Sequence, residues 1–186
     1  MGAVGQRATI LMSGGIDSAA CAHFLQTQGM TVDALFVDHG QPAAQRESVA
    51  VEALTRHLSI SLRRVAFSGG TSLGPGEIVG RNGLLLFSAL FVTCGQSHLL
   101  GIGLHAGTPY YDCSEQFMAS ISKLIGEYTD GRVSVIAPFL TWTKQDVFQY
   151  FMSAGLPITV PYSCEAGTDP VCGTCASCRD RRALKC

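Results

Sequence analysis

Ala8-Thr9-Ile10-Leu11-Met12 runs directly into Ser13-Gly14-Gly15-Ile16-Asp17-Ser18, and the reading of this stretch decides the fold. The first five residues form an apolar, strand-like run, and the residues from Asp17 to Gln28 are helical in pattern. Two adjacent glycines let the backbone turn tightly and bring its N–H groups close to an anion, while the helix N-terminus adds partial positive charge. Ser13 and Ser18 place hydroxyl donors at either end of the turn. Asp17 is a poor phosphate ligand, so orienting the loop or holding Mg²⁺ is its expected work. The string lacks Gly-Lys-Ser/Thr, so it is not a Walker A loop and γ-phosphate transfer is not its natural chemistry. Gly-Gly alone would be a plain strand-to-helix turn with a capping Ser or Asp. The whole six-residue string after a first strand favours nucleotide binding instead.

Outward from this loop, strand-like and helix-like patterns alternate. Val32–Val37 precedes a helix over Ala43–Leu58, then Ser61–Ala66 leads into a glycine-rich loop, Ser68–Gly83. A helix over Leu84–Cys94, a strand at His98–Gly103, a helix over Ser114–Tyr128 and a strand at Val133–Ile136 follow. This order predicts an α/β fold, a parallel sheet with helices on both faces. Ala50, Ala53, Leu54, His57 and Leu58 recur at helical spacing as one apolar stripe, whereas Leu84–Phe91 is apolar nearly all round and is expected to be central and buried. Gly29, Gly95 and Gly155 stand where helices should stop in a left-handed residue.

The 186 residues suffice for one well-buried domain with a small C-terminal appendage, divided as 1–160 and 161–186. A net charge of −1 with 15% charged residues argues against an extended nucleic-acid surface and for a small ligand. The apolar runs fall far short of the roughly 18 residues of a membrane span, and Met1–Arg7 does not resemble a signal peptide. A cytoplasmic location is expected.

Of eight cysteines, Cys164, Cys172, Cys175 and Cys178 crowd together and the rest are scattered. Two consecutive Cys-x-x-Cys steps place three thiolates around one point, and Cys164 closes a tetrahedron from across a loop. Four thiolates suit Zn²⁺ and leave no open position, which makes the expected zinc structural; an iron–sulfur cluster and paired disulfides compete with it.

The six-residue loop resembles the signature of the PP-loop ATP-pyrophosphatases, the adenine-nucleotide alpha-hydrolase-like, Rossmann-like superfamily. Gly40-Gln41, Gly80-Arg81-Asn82, Asp112-Cys113-Ser114-Glu115, Thr143-Lys144 and Ser163-Cys164 with the later cysteines occur in the order seen in the QueC family of 7-cyano-7-deazaguanine synthases. That resemblance implies an ATP-dependent ligase with Mg²⁺ that adenylates the carboxylate of 7-carboxy-7-deazaguanine and captures it with ammonia, giving an amide and then a nitrile on the route to queuosine-type bases. It implies catalytic roles for Ser13, Asp17, Ser18, Arg81 and Lys144, and nucleotide contacts from Ser13, Gly14, Gly15, Asp17, Ser18, Asp38, Gly40 and Gln41. Arg81, Asn82, Tyr111, Asp112, Cys113 and Glu115 are the implied substrate residues, and a homodimer is implied as well. Chemically, Arg81 can clamp a phosphate or carboxylate, with Asn82 as helix cap. A carboxylate from Asp112 or Glu115 matches the paired donors of a guanine-like ring, on which Tyr110, Tyr111 or Tyr162 could stack. Cys113 is a candidate nucleophile, although no histidine adjoins it. Lys144, in a first helical turn behind the cap Thr143, is badly placed for the helix dipole and points to an anion nearby.

The sequence departs from the family pattern around the substrate. The segment between Gly40-Gln41 and Gly80-Arg81-Asn82 is short, and Pro42-Ala43-Ala44 replaces basic residues. Gly103–Thr108 lacks an acid, and Glu165 stands where tyrosine is usual. An amine on a partner protein, as in QueC-like paralogues of antiphage defence, is therefore a second candidate acceptor. A tRNA thiolase would want a basic RNA-binding extension, which this near-neutral chain does not show; a zinc-containing nucleotide- or RNA-binding module without turnover draws some support from Arg179, Arg181 and Arg182 beside the cysteines.

Overall fold

A computed structural model of the chain describes residues 5–68, 74 and 76–186. Residues 69–73 and 75 of the expected glycine-rich loop, and residues 1–4 of the N-terminal segment, lie outside the described residues. Strands β1 (Arg7–Leu11), β2 (Thr31–Asp38), β3 (Ser61–Ala66), β4 (Leu99–Ile102) and β5 (Ser134–Ile136) form one parallel sheet in the order β3-β2-β1-β4-β5. The helices are α1 (Ile16–Thr27), α2 (Ala44–Leu58), α3 (Arg81–Thr93), α4 (Glu115–Tyr128), α5 (Lys144–Ser153) and α6 (Ala176–Ala183), with a short 3-10 turn at Tyr111–Cys113.

The two-residue period of the strands divides the core. Ala8 and Ile10 of β1 and the following Met12, with Val32, Ala34 and Phe36 of β2, point to the face that α1, α2 and α5 cover. Leu11, Leu35, Val37, Leu100 and Ile102 point to the opposite face, under α3 and α4. Thr9 also lies buried in β1, and its hydroxyl is satisfied at 2.6 Å by Ser97 Oγ. Each fully buried Leu or Ile in these clusters contributes about 1.5–3 kcal/mol relative to exposure. The sheet is thus covered on both faces, as the element order predicts.

The most deeply buried helix is α1, in contrast to the expectation for α3. Ala19, Ala20, Cys21 and Ala22 have no exposed surface, because side chains this small let α1 sit close on the sheet with α5 packed against it. α3 buries Leu86 and Ala89 but leaves Leu84 at 42% and Phe91 at 84% exposure. In α2 the stripe is rotated from the expected one, burying Ala50, Val51, Leu54, Thr55 and Leu58 and leaving His57 exposed. Gly29, Gly95 and Gly155 all have positive φ just beyond helix ends. Among the described residues, no helix is long and apolar enough to cross a membrane.

After residue 153 the chain returns over the first sheet face. Ile158, Val160 and Cys186 pack against that core cluster, and the Arg181 guanidinium donates to the Pro161 carbonyl at 2.8 Å. The Tyr162 N–H donates to the Gly14 carbonyl at 2.9 Å, joining the C-terminal segment to the loop after β1.

Gly103, immediately beyond β4, permits the tightest contact between sheet and helix. A Cβ there would lie 2.8 Å from the Asp17 carbonyl carbon and 2.9 Å from the Ser18 nitrogen, both backbone atoms that cannot swing aside. Gly103→Ala is expected to lower stability by about 1–3 kcal/mol through overpacking. Gly126→Ala is the control: its Cβ would meet nothing within 4 Å inside α4, and it should be neutral or stabilising. Denaturant midpoints of the two variants check the contrast.

Candidate active site

The strand order reverses at β1, which has β2 on one side and β4 on the other, and a cavity of about 540 Å³ opens at the carboxyl ends of these strands. This is the switch point at which open α/β sheets hold ligands. The loop after β1 forms its floor. Gly14 has φ +80°, and a Cβ on it would lie 2.9 Å from the Glu47 carbonyl oxygen of α2, so the turn needs glycine on both counts. The Ser18 hydroxyl donates to the Gly15 carbonyl at 3.2 Å and accepts from the Ser13 N–H at 3.3 Å, which closes the loop around the start of α1.

Asp17 lies in the first turn of α1. Its Oδ2 accepts from Lys144 Nζ at 2.5 Å, while its Oδ1 is buried without a partner among the described residues. Thr143 caps α5 through a capping box with Asp146, which sets the direction in which Lys144 leaves the helix. Asp17 is therefore the anion that explains Lys144 in a first helical turn. The free Oδ1 is suited to a cation or a donor from a ligand.

Arg81 opens α3 and lines the cavity; among the described residues its guanidinium makes no ion pair. Asn82 is not the cap of that helix. Gly80 occupies the cap position, and Asn82 is buried one residue further in, where its N–H donates to Asp112 Oδ2 at 3.0 Å and its amide donates to the Asp112 carbonyl at 2.9 Å. The Asp112 carboxylate thus satisfies the start of α3 and does not line the cavity. Glu115 is exposed in the first turn of α4, away from the cavity, and Tyr111 packs edge-on against Phe117 at 57% exposure. Tyr110 and Tyr162 are the tyrosines that line the cavity. Cys113 lines it too, but burial and the adjacent Asp112 carboxylate push its thiol up from 9.0, so it is protonated at neutral pH.

Beyond β2, Asp38 Oδ1 accepts from the Gly40 N–H at 3.0 Å, and neither residue lines the cavity. Gln41 does line it, but its amide is engaged internally: Oε1 accepts from the His39 N–H at 2.9 Å and Nε2 donates to Glu47 Oε2 at 2.7 Å. Sequence reasoning missed Glu47, whose helical periodicity marks it as an ordinary charge on α2. Glu165, singled out in the sequence only as standing where tyrosine is usual, accepts through its carboxylate from the Ser177 N–H and hydroxyl and from the Gly76 N–H, bridging α6 to the loop before α3.

The sulfur atoms of Cys164, Cys172, Cys175 and Cys178 all lie within 4.8 Å of one another, and all eight cysteines are unpaired. Backbone N–H groups of Cys172, Cys175 and Cys178 donate to the sulfurs of Cys164, Cys172 and Cys175 at 3.3–3.4 Å. Burial pushes the Cys164 thiol up, but the N–H groups of Cys172 and Ala166 and the Thr168 hydroxyl outweigh it and bring the group down to about 5. A thiolate is thus favoured even before a metal is considered.

The sequence matches the family described as queuosine biosynthesis protein QueC over residues 7–82 and 75–184. The chain belongs to the QueC family. Relatives named 7-cyano-7-deazaguanine synthase include that of Persephonella marina, 30% identical with 92% of this chain and 88% of the relative covered, and that of Campylobacter curvus, 27% identical with 95% and 91% covered. Among solved structures, the QueC fold is shared by the U34-tRNA thiolase NcsA from Methanococcus maripaludis with its [4Fe-4S] cluster, at TM-score 0.57, 18% identity and coverage of 97% of this chain and 73% of that one. NMN synthetase from Francisella tularensis shares it at TM-score 0.53, 19% identity and coverage of 82% and 63%. At these identities the likeness is one of fold.

Glu47 gives a measurable handle on the site. Burial pushes its carboxyl above the ordinary 4.5, while the Gln41 hydrogen bond and the Arg81 guanidinium pull the other way. In the window from 4.5 up to the raised value, the folded state binds more protons than the unfolded one, so this group's contribution to stability falls as pH rises. Glu47→Gln is expected to match the parent at the acid end and to gain on it progressively toward neutral pH, as checked by urea midpoints across that range.

Proposed function

We propose that the protein is an ATP-dependent carbon–nitrogen ligase that adenylates the carboxylate of 7-carboxy-7-deazaguanine and captures the adenylate with an amine. With ammonia this gives the amide and then 7-cyano-7-deazaguanine. The observation that carries the reading is a convergence in one cavity. The serine–glycine loop, Asp17 and Arg81, the last two with an unpartnered oxygen and an unpaired guanidinium among the described residues, all line it, in a chain whose relatives are named 7-cyano-7-deazaguanine synthases.

In this reading the N–H groups of Gly14 and Gly15 and the hydroxyls of Ser13 and Ser18 hold the pyrophosphate end of ATP at the start of α1. Mg²⁺ would supply charge neutralisation between the phosphates, and Asp17 Oδ1 is the protein oxygen placed to meet it. Lys144 holds Asp17 from the other side and brings a positive charge to the developing pyrophosphate. Arg81 orients the substrate carboxylate for attack on the α-phosphorus, and Tyr110 flanks the heterocycle. Deazaguanine-dependent release of pyrophosphate, followed by incorporation of labelled ammonium nitrogen into amide or nitrile by mass spectrometry, is the expected outcome. No nucleotide turnover in the presence of the deazaguanine acid would exclude the reading.

The element over residues 161–186 carries the metal in this reading, and zinc suits it better than an iron–sulfur cluster. In a tetrahedral site with bonds of about 2.3 Å, sulfur atoms stand roughly 3.8 Å apart. Cys172 Sγ and Cys178 Sγ lie 3.9 Å apart. Thiolates bound at separate corners of a cubane must spread further than four sulfurs on one ion. Elemental analysis is expected to find one zinc per chain, and Cys175→Ser should lose it together with several degrees of melting temperature.

A further inference from the structure

Phosphate and carboxylate binding leave unused a group of polar residues beside the loop after β1. Glu47 lines the cavity from the first turn of α2, and its backbone lies against Gly14 of the loop. Among the described residues, no lysine, arginine or histidine nitrogen comes within ion-pair distance of its carboxylate, whose hydrogen-bond donor is Gln41 Nε2 at 2.7 Å. Beside it, His39 lines the same cavity, and its buried Nε2 has no hydrogen-bond partner among the described residues. Gln41 is a strut between the two, receiving the His39 N–H on one end of its amide and donating to Glu47 from the other.

A half-buried carboxylate with no counter-ion beside a buried, unpartnered imidazole nitrogen is an expensive arrangement unless a ligand completes it. The missing partner must donate several N–H bonds and tolerate negative charge, and it must be small enough to share the cavity with a nucleotide. An amine meets all three conditions. We propose that the part of the cavity lined by Glu47 and His39 receives the amine that captures the acyl adenylate, with Glu47 as proton acceptor. The proposal rests on the ligase reading above.

The step balances without a further reactant. The nitrogen lone pair forms a C–N bond to the acyl carbon, the acyl C–O bond to AMP breaks with its electron pair remaining on AMP, and one proton passes from nitrogen to the Glu47 carboxylate and then to water. The charged groups that face Glu47 are Arg81 from α3 and Asp38 from β2, and burial is the largest influence on it, keeping it more basic than an exposed glutamate. Burial likewise lowers His39, so its ring is neutral and Nε2 can take part in a hydrogen bond with the amine.

The test uses the full chain with Mg-ATP and 7-carboxy-7-deazaguanine and reads two steps separately. Activation is followed by substrate-dependent exchange of pyrophosphate into ATP. Capture is followed by amide formation against ammonium in one arm and against a short peptide with a free α-amine in the other, which identifies the source of the amine. Glu47→Gln is expected to lower amine capture by about a hundredfold while exchange falls by less than about threefold. His39→Asn is expected to raise the KM for the amine by about tenfold with kcat less affected. Equal losses of exchange and capture in Glu47→Gln, or unchanged capture in both variants, would overturn the amine site while the ligase reading stands. Absence of exchange in the unaltered protein would overturn both.

Discussion

The contact of Gly103 with the backbone of Asp17 and Ser18 is the constraint on which the site depends. Hydrophobic burial supplies far more free energy in total, but it is non-directional and would tolerate α1 sitting a little further from β4. At the β1–β4 reversal a small separation matters, because the loop after β1, the end of β4 and the start of α5 all meet there. With no side chain on Gly103, α1 starts close beside β4, and Lys144 can then reach Asp17 from a helix that begins 127 residues later.

The charges in the cavity are arranged as one satisfied pair and several unsatisfied groups. Asp17 and Lys144 neutralise each other through one carboxylate oxygen, which fixes both side chains and leaves the second oxygen buried without a partner among the described residues. Arg81 and Glu47 have opposite charges and line the same cavity, yet they do not join. A direct Arg81–Glu47 bridge would stabilise the empty protein and close the space between them. Keeping them apart costs desolvation energy and leaves that space open.

Much of this was legible from residue types and spacing. The alternation of Ala8, Ile10 and Met12 with Leu11, repeated in β2, carries the two-faced parallel sheet, and the serine–glycine string locates its switch point. The four cysteines come together as their spacing suggests, because Cys-x-x-Cys steps impose local geometry. What could not be read was direction. Asp112 and Tyr111 adjoin Cys113 in sequence, yet a 3-10 turn sends the carboxylate to Asn82 and the ring outward, leaving the neighbouring Tyr110 facing the cavity. The long apolar run of α3 suggested burial, whereas the small residues of α1 win the central place because close packing rewards fit as well as hydrophobicity. Glu47 was invisible for a different reason: its importance arises from the loop packed beside it, and no local pattern encodes that.

The hydrogen bond from the Tyr162 N–H to the Gly14 carbonyl gives the C-terminal segment a part in the behaviour of the loop. Gly14 and Gly15 are the residues with the most conformational freedom to lose, and an untethered glycine pair would sample many arrangements in water. Held at its carbonyl from one side and by the Ser18 hydroxyl from the other, the loop is ordered when the chain folds. The entropic penalty is then met once during folding and not at each encounter with a nucleotide, so a short backbone contact far along the chain acts on association at the first strand.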